Sequence, residues 1–349
     1  MRSHPSRSAR RISALGTVVL LAAVTPVGHA TPEVAATRSH AGCTVTGPAK
    51  SPDLYDRQVQ AARLMARSLE SIKRLRLSKG LTIDPELDPN GTGIVGDEFS
   101  SLTTSVGDVE AKRTAANPAF AALLVRLFDE AGLSRGDVVA VGGSGSFPAL
   151  VLAAMCAARA VELQPVVVYS VGASMYGANI PGFTFADMLD TVRADGVLPY
   201  RLAAVSPGGR GDGGGGVLFD ENGTTLLDET RRLGLPIVNG ESLAARIRSR
   251  LRIFENAAGG RPIRCFVNVG GASANFGVGE ESLKLPNGLI RKAPPIPASP
   301  TRGLAFEFLA RGIPVIHLLH VKGLARDNGL PFDPVPFPAV GSGEVYVGR

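Results

Sequence analysis

Short, wholly apolar runs that end in small polar residues recur through the second half of the chain. Residues 138–141 (Val-Val-Ala-Val) run into Gly142-Gly-Ser-Gly-Ser146, and residues 165–171 (Pro-Val-Val-Val-Tyr-Ser-Val) run into Gly172-Ala-Ser-Met-Tyr-Gly-Ala-Asn179. Residues 202–205 lead into a Gly-rich segment over 206–216, residues 265–269 into a second glycine pair at 270–271, and residues 313–319 into His320-Val-Lys-Gly323. Such runs lack the polar alternation of a half-exposed strand, so they predict strands covered on both faces. Segments 185–194, 226–233, 243–256 and 301–310 lie between them and predict helices. Strand–helix alternation with right-handed crossovers gives an α/β fold, a mostly parallel sheet with flanking helices. In such sheets ligands gather beyond the carboxyl ends of the strands, where all of these small polar turns are predicted to lie. No fixed-period repeat argues for a solenoid.

The stretch 137–160 organises the rest. A buried strand at 138–141 is followed by the glycine-serine turn, and Pro148 falls where the first helical residue of 148–160 belongs. A strand, a tight turn and a helix start bring backbone N–H groups of Gly143 to Phe147 and the hydroxyls of Ser144 and Ser146 together, which suits an anion. The turn lacks the third glycine of a dinucleotide fingerprint and the Gly-Lys-Ser/Thr of a P-loop. It nearly matches the G-x-S-x-G nucleophile elbow, with Ser146 in the last glycine position. On that reading Ser144 is the nucleophile, with Asp187 or Asp212 and then His317 or His320 completing a triad in chain order; the set Ser144, Asp212 and His317 is the catalytic candidate. His317 and His320 point to opposite faces if both lie on a strand, and no carboxylate–histidine cluster has zinc spacing, so neither a metal nor a cofactor is expected.

Ahead of the sheet, Ser51-Pro52-Asp53 starts an amphipathic helix over 51–79 that Gly80 ends, with Arg63, Arg67, Lys73, Arg74 and Arg76 on its polar side. Packing on the main domain is preferred for it over attraction to anionic lipid. A polar stretch follows, carrying Thr103, Thr104, Lys112 and Arg113. It reads either as a solvated loop or as a loop folded across the strand ends, where it would contribute to a ligand site. Asn117-Pro118 then caps a helix to about Ala131. Candidate ligand groups at the other strand ends are Gly143, Gly145 and Ser146 of the central turn, Ser170 and Ser174 of the second, and Asn268 and Asn275 of the fourth; an Asn offers an amide ligand both a donor and an acceptor. The 208–216 segment either wraps closely on a ligand or makes a surface excursion.

Composition changes this picture little. The chain has 349 residues, 42 Gly, 25 Pro and no Trp, which fits an α/β domain with many turns. Of the net charge of +6, four units come from Arg2, Arg7, Arg10 and Arg11, leaving about +2 and no basic nucleic-acid surface. Those arginines precede an apolar stretch over 12–28 and small residues at Gly28 and Ala30, the pattern of a signal peptide or an N-terminal membrane anchor over 1–30. A flexible linker over 31–50, holding Cys43, then leads into a single α/β domain over 51–349. Three cysteines make no disulfide framework; Cys156 and Cys265 are expected in the core.

Several strings resemble those of the poly-γ-glutamate system protein family: Glu98-Phe-Ser-Ser-Leu-Thr-Thr-Ser105, Glu110-Ala-Lys-Arg-Thr-Ala-Ala-Asn-Pro118, Ser144-Gly-Ser-Phe-Pro-Ala-Leu150, Ser170-Val-Gly-Ala-Ser-Met-Tyr-Gly-Ala-Asn179 and Gly312-Ile-Pro-Val-Ile-His-Leu-Leu319. The resemblance spans roughly residues 54–345. It departs from the family pattern in lacking a Trp near Phe185, a Glu at Leu189 and acidic residues at 213–216. It implies an extracytoplasmic accessory role in making or exporting poly-γ-glutamate, an anionic polymer with side-chain amide links, alongside other proteins of that system. It assigns no catalytic residue. Two classes of function follow: a factor that binds the polymer or a related carboxylate or amide ligand, and a serine hydrolase or transferase acting on its γ-amide bonds through Ser144.

Overall fold

Residues 138 to 144 are buried at every position, and the strand they form lies inside the sheet. The computed structural model describes residues 52–220 and 222–346; the expected signal or anchor segment, the linker and Cys43 lie outside the described residues. Helix α1 (Pro52–Ser78) is followed by β1 (Thr103–Ser105), α2 (Val109–Ala115) and α3 (Ala119–Glu130). Next come β2 (Val138–Ser144), α4 (Pro148–Ala160), β3 (Gln164–Ser170), the two-residue β4 (Ala173–Ser174), α5 (Phe185–Ala194) and β5 (Leu202–Ser206). Helices α6 (Thr224–Arg232) and α7 (Leu243–Ala258) lead to β6 (Ile263–Val269), the single-turn helices α8 (Ser273–Phe276) and α9 (Glu280–Leu283), and β7 (Gly288–Ile290). The last elements are α10 (Gly303–Leu309), β8 (Val315–Leu318) and α11 (Val321–Asp327).

The fold is α/β. Six strands form one sheet in the order β5-β3-β2-β6-β8-β7, parallel except for β7, which runs antiparallel to β8. Strands β1 and β4 pair separately as a small parallel sheet. The pleat divides the core into two layers. Val139, Val141, Val167 and Tyr169 face a layer shared with α1, α3 and α4, while Val138, Ala140, Val168 and Phe266 face one shared with α7 and α10. On the second side Phe266 stacks on Phe308 at 4.7 Å between centroids. Cys156 and Cys265 are fully buried, and burial pushes both thiols up to about 12, so they behave as small apolar residues.

From β2 the chain winds outward through β3 to β5, then returns to the other flank of β2 as β6 and continues to β8. The winding direction therefore reverses between β2 and β6. In open α/β sheets the loops leaving such a pair of strands part in opposite directions and leave a crevice.

Helix α1 buries Met65, Leu69 and Ile72. Its basic side is partly used within the domain: Arg74 pairs with Asp195 at 2.6 Å, and buried Arg76 donates to the carbonyls of Thr82 (2.8 Å) and Gly93 (3.3 Å). Fully buried Gln58 donates to Ala122 O (3.2 Å) and Val345 O (2.8 Å), tying the C-terminal segment to α1. No described helix is long and apolar enough to cross a membrane.

Four features depart from the sequence expectation. Residues 109–115 form a helix, not a loop, because the Asp108 carboxylate accepts from the N–H groups of Glu110 (2.9 Å) and Ala111 (3.3 Å). Strands β1, β4 and β7 are too short for an alternation to show in the sequence. The 321–327 helix follows His320 with no capping side chain to announce it. Asn117 caps as expected, but the helix after it starts at Ala119.

Candidate functional site

The crevice beyond β2 and β6 is a cleft of about 410 Å³. Ser144, Ser146 and Phe147 of the central turn form one part of its lining, and Gly271, Ala272 and Ser273 after β6 form another. Thr104 to Val106 of the small sheet add a third, Gly172 and Ser174 a fourth, and Gly209, Arg210 and Gly216 of the Gly-rich segment a fifth. With Leu319 after β8, six separate chain segments thus meet at one place, and the lining is mostly hydroxyls and backbone. Arg210 is its only charged residue; its side chain is exposed and makes no hydrogen bond or ion pair with any described residue.

The central turn is not the open cradle of amides expected from the sequence. Gly145 N–H donates to Ser170 O (2.8 Å), Phe147 N–H to Ser144 O (3.1 Å), and Ser146 N–H to Ser144 Oγ (3.2 Å). Gly143 lies inside β2, packed against Tyr169 and Val151. Gly145 also presses its backbone on the next loop: a Cβ there would fall 2.5 Å from Val171 O. The turn's amides therefore hold the protein together, and its two hydroxyls are what it shows to the cleft. The N–H groups of Gly271 and Ala272, across the cleft, make no hydrogen bond among the described residues.

The structure does not join Ser144, Asp212 and His317 in a hydrogen-bonded set. Asp212 is fully engaged with Arg250 of α7, which donates from Nε to Oδ2 and from Nη2 to Oδ1, both at 2.9 Å, with both side chains wholly buried. His317 sits in β8 beside Asn268 of β6, with Asn268 Nδ2 2.8 Å from its Nδ1, and its ring stacks on Phe276 at 5.5 Å. Among the described residues Ser144 Oγ has no hydrogen-bond partner except Ser146 N–H. No basic side chain hydrogen-bonds to it among the described residues, so no Ser–His–Asp relay is assembled around Ser144. Asp187 caps α5 as its position predicts, accepting from Thr184 N–H at 2.8 Å.

Burial pushes His317 down to about 4 from its ordinary 6.5, so the folded protein holds it uncharged at neutral pH. The unfolded chain binds the proton first as pH falls. Stability present above pH 6.5 is therefore expected to decline from there to about pH 4, by up to about 3 kcal/mol. Urea titrations of wild type and His317→Gln across that window should diverge by this amount; parallel curves would refute the assignment.

Other expected ligand groups are likewise structural. Thr103 is buried and accepts from Ser100 N–H (2.9 Å) and Asn179 Nδ2 (3.0 Å). Arg113 leaves the cleft altogether: its guanidinium forms a fork with Asp333, which raises its pKa, and donates to Glu86 O at 3.1 Å. The Ser170 hydroxyl lies at the cleft floor but is saturated by Arg250 Nη2 (2.7 Å), Ser206 Oγ (3.2 Å) and Asp212 Oδ1 (3.2 Å). Asn268 also donates to Gly270 O (3.1 Å) and is fully buried. Asn275 accepts from Arg250 Nη1 (3.1 Å) and lies against Gly142, where a Cβ would fall 2.6 Å from its Cγ. Thr104, Ser144, Ser146 and Ser174 do line the cleft.

Sequence reasoning missed Arg250. Its signal was positional: it occupies the apolar face of α7 with Ile247, Leu251 and Phe254, where an arginine must have a partner. Arg250 and Asp212 pin the Gly-rich segment, which is neither an excursion nor a free flap. Bridges join Gly208 to Gly213 and Arg210 to Gly215, and Asp212 takes a positive φ of 63° so that its carboxylate turns inward.

Lys112 stands beneath the cleft instead of in it. Its ammonium nitrogen contacts Ser146 O and Ser174 Oγ (2.8 Å) and lies 3.7 Å from the centroid of Phe147. It is 5 % exposed, and burial pushes it down to about 7, against the pull of Asp108. Among the described residues no three His, Cys, Asp or Glu side chains gather to hold a metal ion. The fold and this cleft define a doubly wound α/β protein with a polar site at its switch point. The chain matches no family model, no curated protein and no solved structure.

Proposed function

We propose that the cleft binds a carboxylate- and amide-bearing ligand, and that the protein serves as an extracytoplasmic accessory factor in making or exporting poly-γ-glutamate. The convergence of six chain segments on one hydroxyl-lined cleft with, among the described residues, a single unpaired cation carries this reading. One exposed guanidinium suits one carboxylate per repeating unit, and it can meet that carboxylate with two parallel hydrogen bonds. Ser144 and Ser146 suit the amide that follows, since each hydroxyl keeps its proton to donate, and Thr104, whose proton goes to Ala173 O at 3.1 Å, can still accept. The resemblance in the central turn and the 170–179 segment supports poly-γ-glutamate as the polymer, and the apolar N-terminal stretch supports an extracytoplasmic location.

Calorimetric titration with short γ-linked glutamate oligomers tests the reading. Wild type is expected to bind them, with affinity falling as salt rises. Arg210→Glu should weaken binding about tenfold to a hundredfold, as removal of a charge-assisted contact does. Binding that is absent in wild type, or unchanged in Arg210→Glu, would overturn the proposal.

A further inference from the structure

Lys112 and Ser174 form a pair that ligand binding alone does not require. Ser174 lines the cleft, while the lysine that touches its oxygen at 2.8 Å is buried behind it, out of reach of solvent. No carboxylate pairs with Lys112 among the described residues; its other neighbours are a backbone carbonyl and the face of Phe147. An amine held this way, dry and with Asp108 acting on it only from beyond ion-pair distance, is easily left uncharged, and an uncharged amine is a base. A lysine serving only as a latch between α2, the central turn and β4 would gain by keeping a carboxylate partner.

We propose that Ser174 is a nucleophile and Lys112 its general base, acting on the amide or ester carbonyl of a carboxylate-bearing substrate. The inference rests on the cleft being the ligand site, and it moves the chemistry from Ser144 to the neighbouring loop. Uncharged Lys112 Nζ takes the Ser174 hydroxyl proton as Oγ bonds to the carbonyl carbon, and the carbonyl π electrons move to its oxygen. The Ser146 hydroxyl accepts from Ser174 N–H at 3.0 Å, which leaves its own proton free for that oxygen. When the adduct collapses, the carbon–nitrogen bond breaks and the leaving amine takes the proton from Lys112. A solvent water then attacks the acyl-serine and gives its proton to Lys112, which returns it to Ser174 Oγ as the acid departs. Lysine paired with serine in this way is a recognised variant of the serine–histidine arrangement.

A fluorophosphonate probe, with the adduct located by peptide mass spectrometry, tests this on the intact protein. The adduct is expected on Ser174, forming about tenfold faster near pH 8 than near pH 6 as Lys112 loses its proton. Ser174→Ala should abolish it. Lys112→Arg keeps a cation but cannot give up the proton, and should slow labelling on the order of 100-fold and flatten its pH dependence. Should Lys112→Arg fail to fold, the adduct site and the pH profile of wild type decide. No adduct, an adduct on Ser144, or a rate indifferent to pH overturns the dyad, even if γ-glutamyl oligomers still bind. An adduct on Ser174 in a protein that neither binds nor cleaves those oligomers upholds the nucleophile and overturns the carboxylate-bearing substrate.

Discussion

Arg250→Ala is expected to cost the protein about 3–5 kcal/mol, the loss seen when one member of a buried ion pair is removed and the other is left unpaired. Asp212 would then sit wholly buried with only the hydroxyls of Ser170 and Ser206 against a full negative charge. Asn275 and the Gly-rich segment would lose their common anchor in the same step. The double variant Asp212→Asn, Arg250→Met removes both charges and should recover part of that loss, because two desolvated charges are absent together. Urea denaturation of the three proteins measures this; a single-variant loss below about 1 kcal/mol would show that the network is not what holds the segment. The functional corollary is loss of the wall that carries Arg210, so ligand affinity should fall even at temperatures where the fold survives.

Gly145→Val should cost about 2–3 kcal/mol, in the range of overpacking in a core with little room to shift. Even a Cβ at this position would lie 2.5 Å from Val171 O, 2.9 Å from Gly172 O and 3.0 Å from Ala173 Cβ. Two of those three atoms are backbone, so relief must come from separating the central turn from the loop that bears Ser174. That separation would also break Gly145 N–H to Ser170 O and Ala178 N–H to Gly145 O, both at 2.8 Å. Thermal unfolding together with probe labelling checks both consequences, and a variant with wild-type stability would mean that the loop can move away freely.

The sheet was legible because its strands are apolar on both faces, and the small polar turns at their ends mark where a ligand can reach. The same pattern does not reveal which polar groups face the cleft. Ser170 and Ser174 belong to one motif, yet one hydroxyl is saturated by Arg250 and the other faces the cleft. That difference depends on α7, some eighty residues further on. Lys112 and Arg113 are adjacent in sequence, but a helical turn sends one under the cleft and the other to Asp333. The histidine expected as a base was placed by its strand, and its neighbour in the adjacent strand gave it a structural role. Chain order proposes a triad; only proximity can complete one.

Gln58, near the start of the described domain, shares its amide protons between Ala122 and Val345. The second acceptor lies 287 residues further along, so during synthesis the helix is made long before it can meet that carbonyl. Until then one of the amide's final acceptors is missing and water stands in for it. The segment around Val345 is thus a late clamp on the first helix, and a variant lacking it would leave a buried amide without that acceptor.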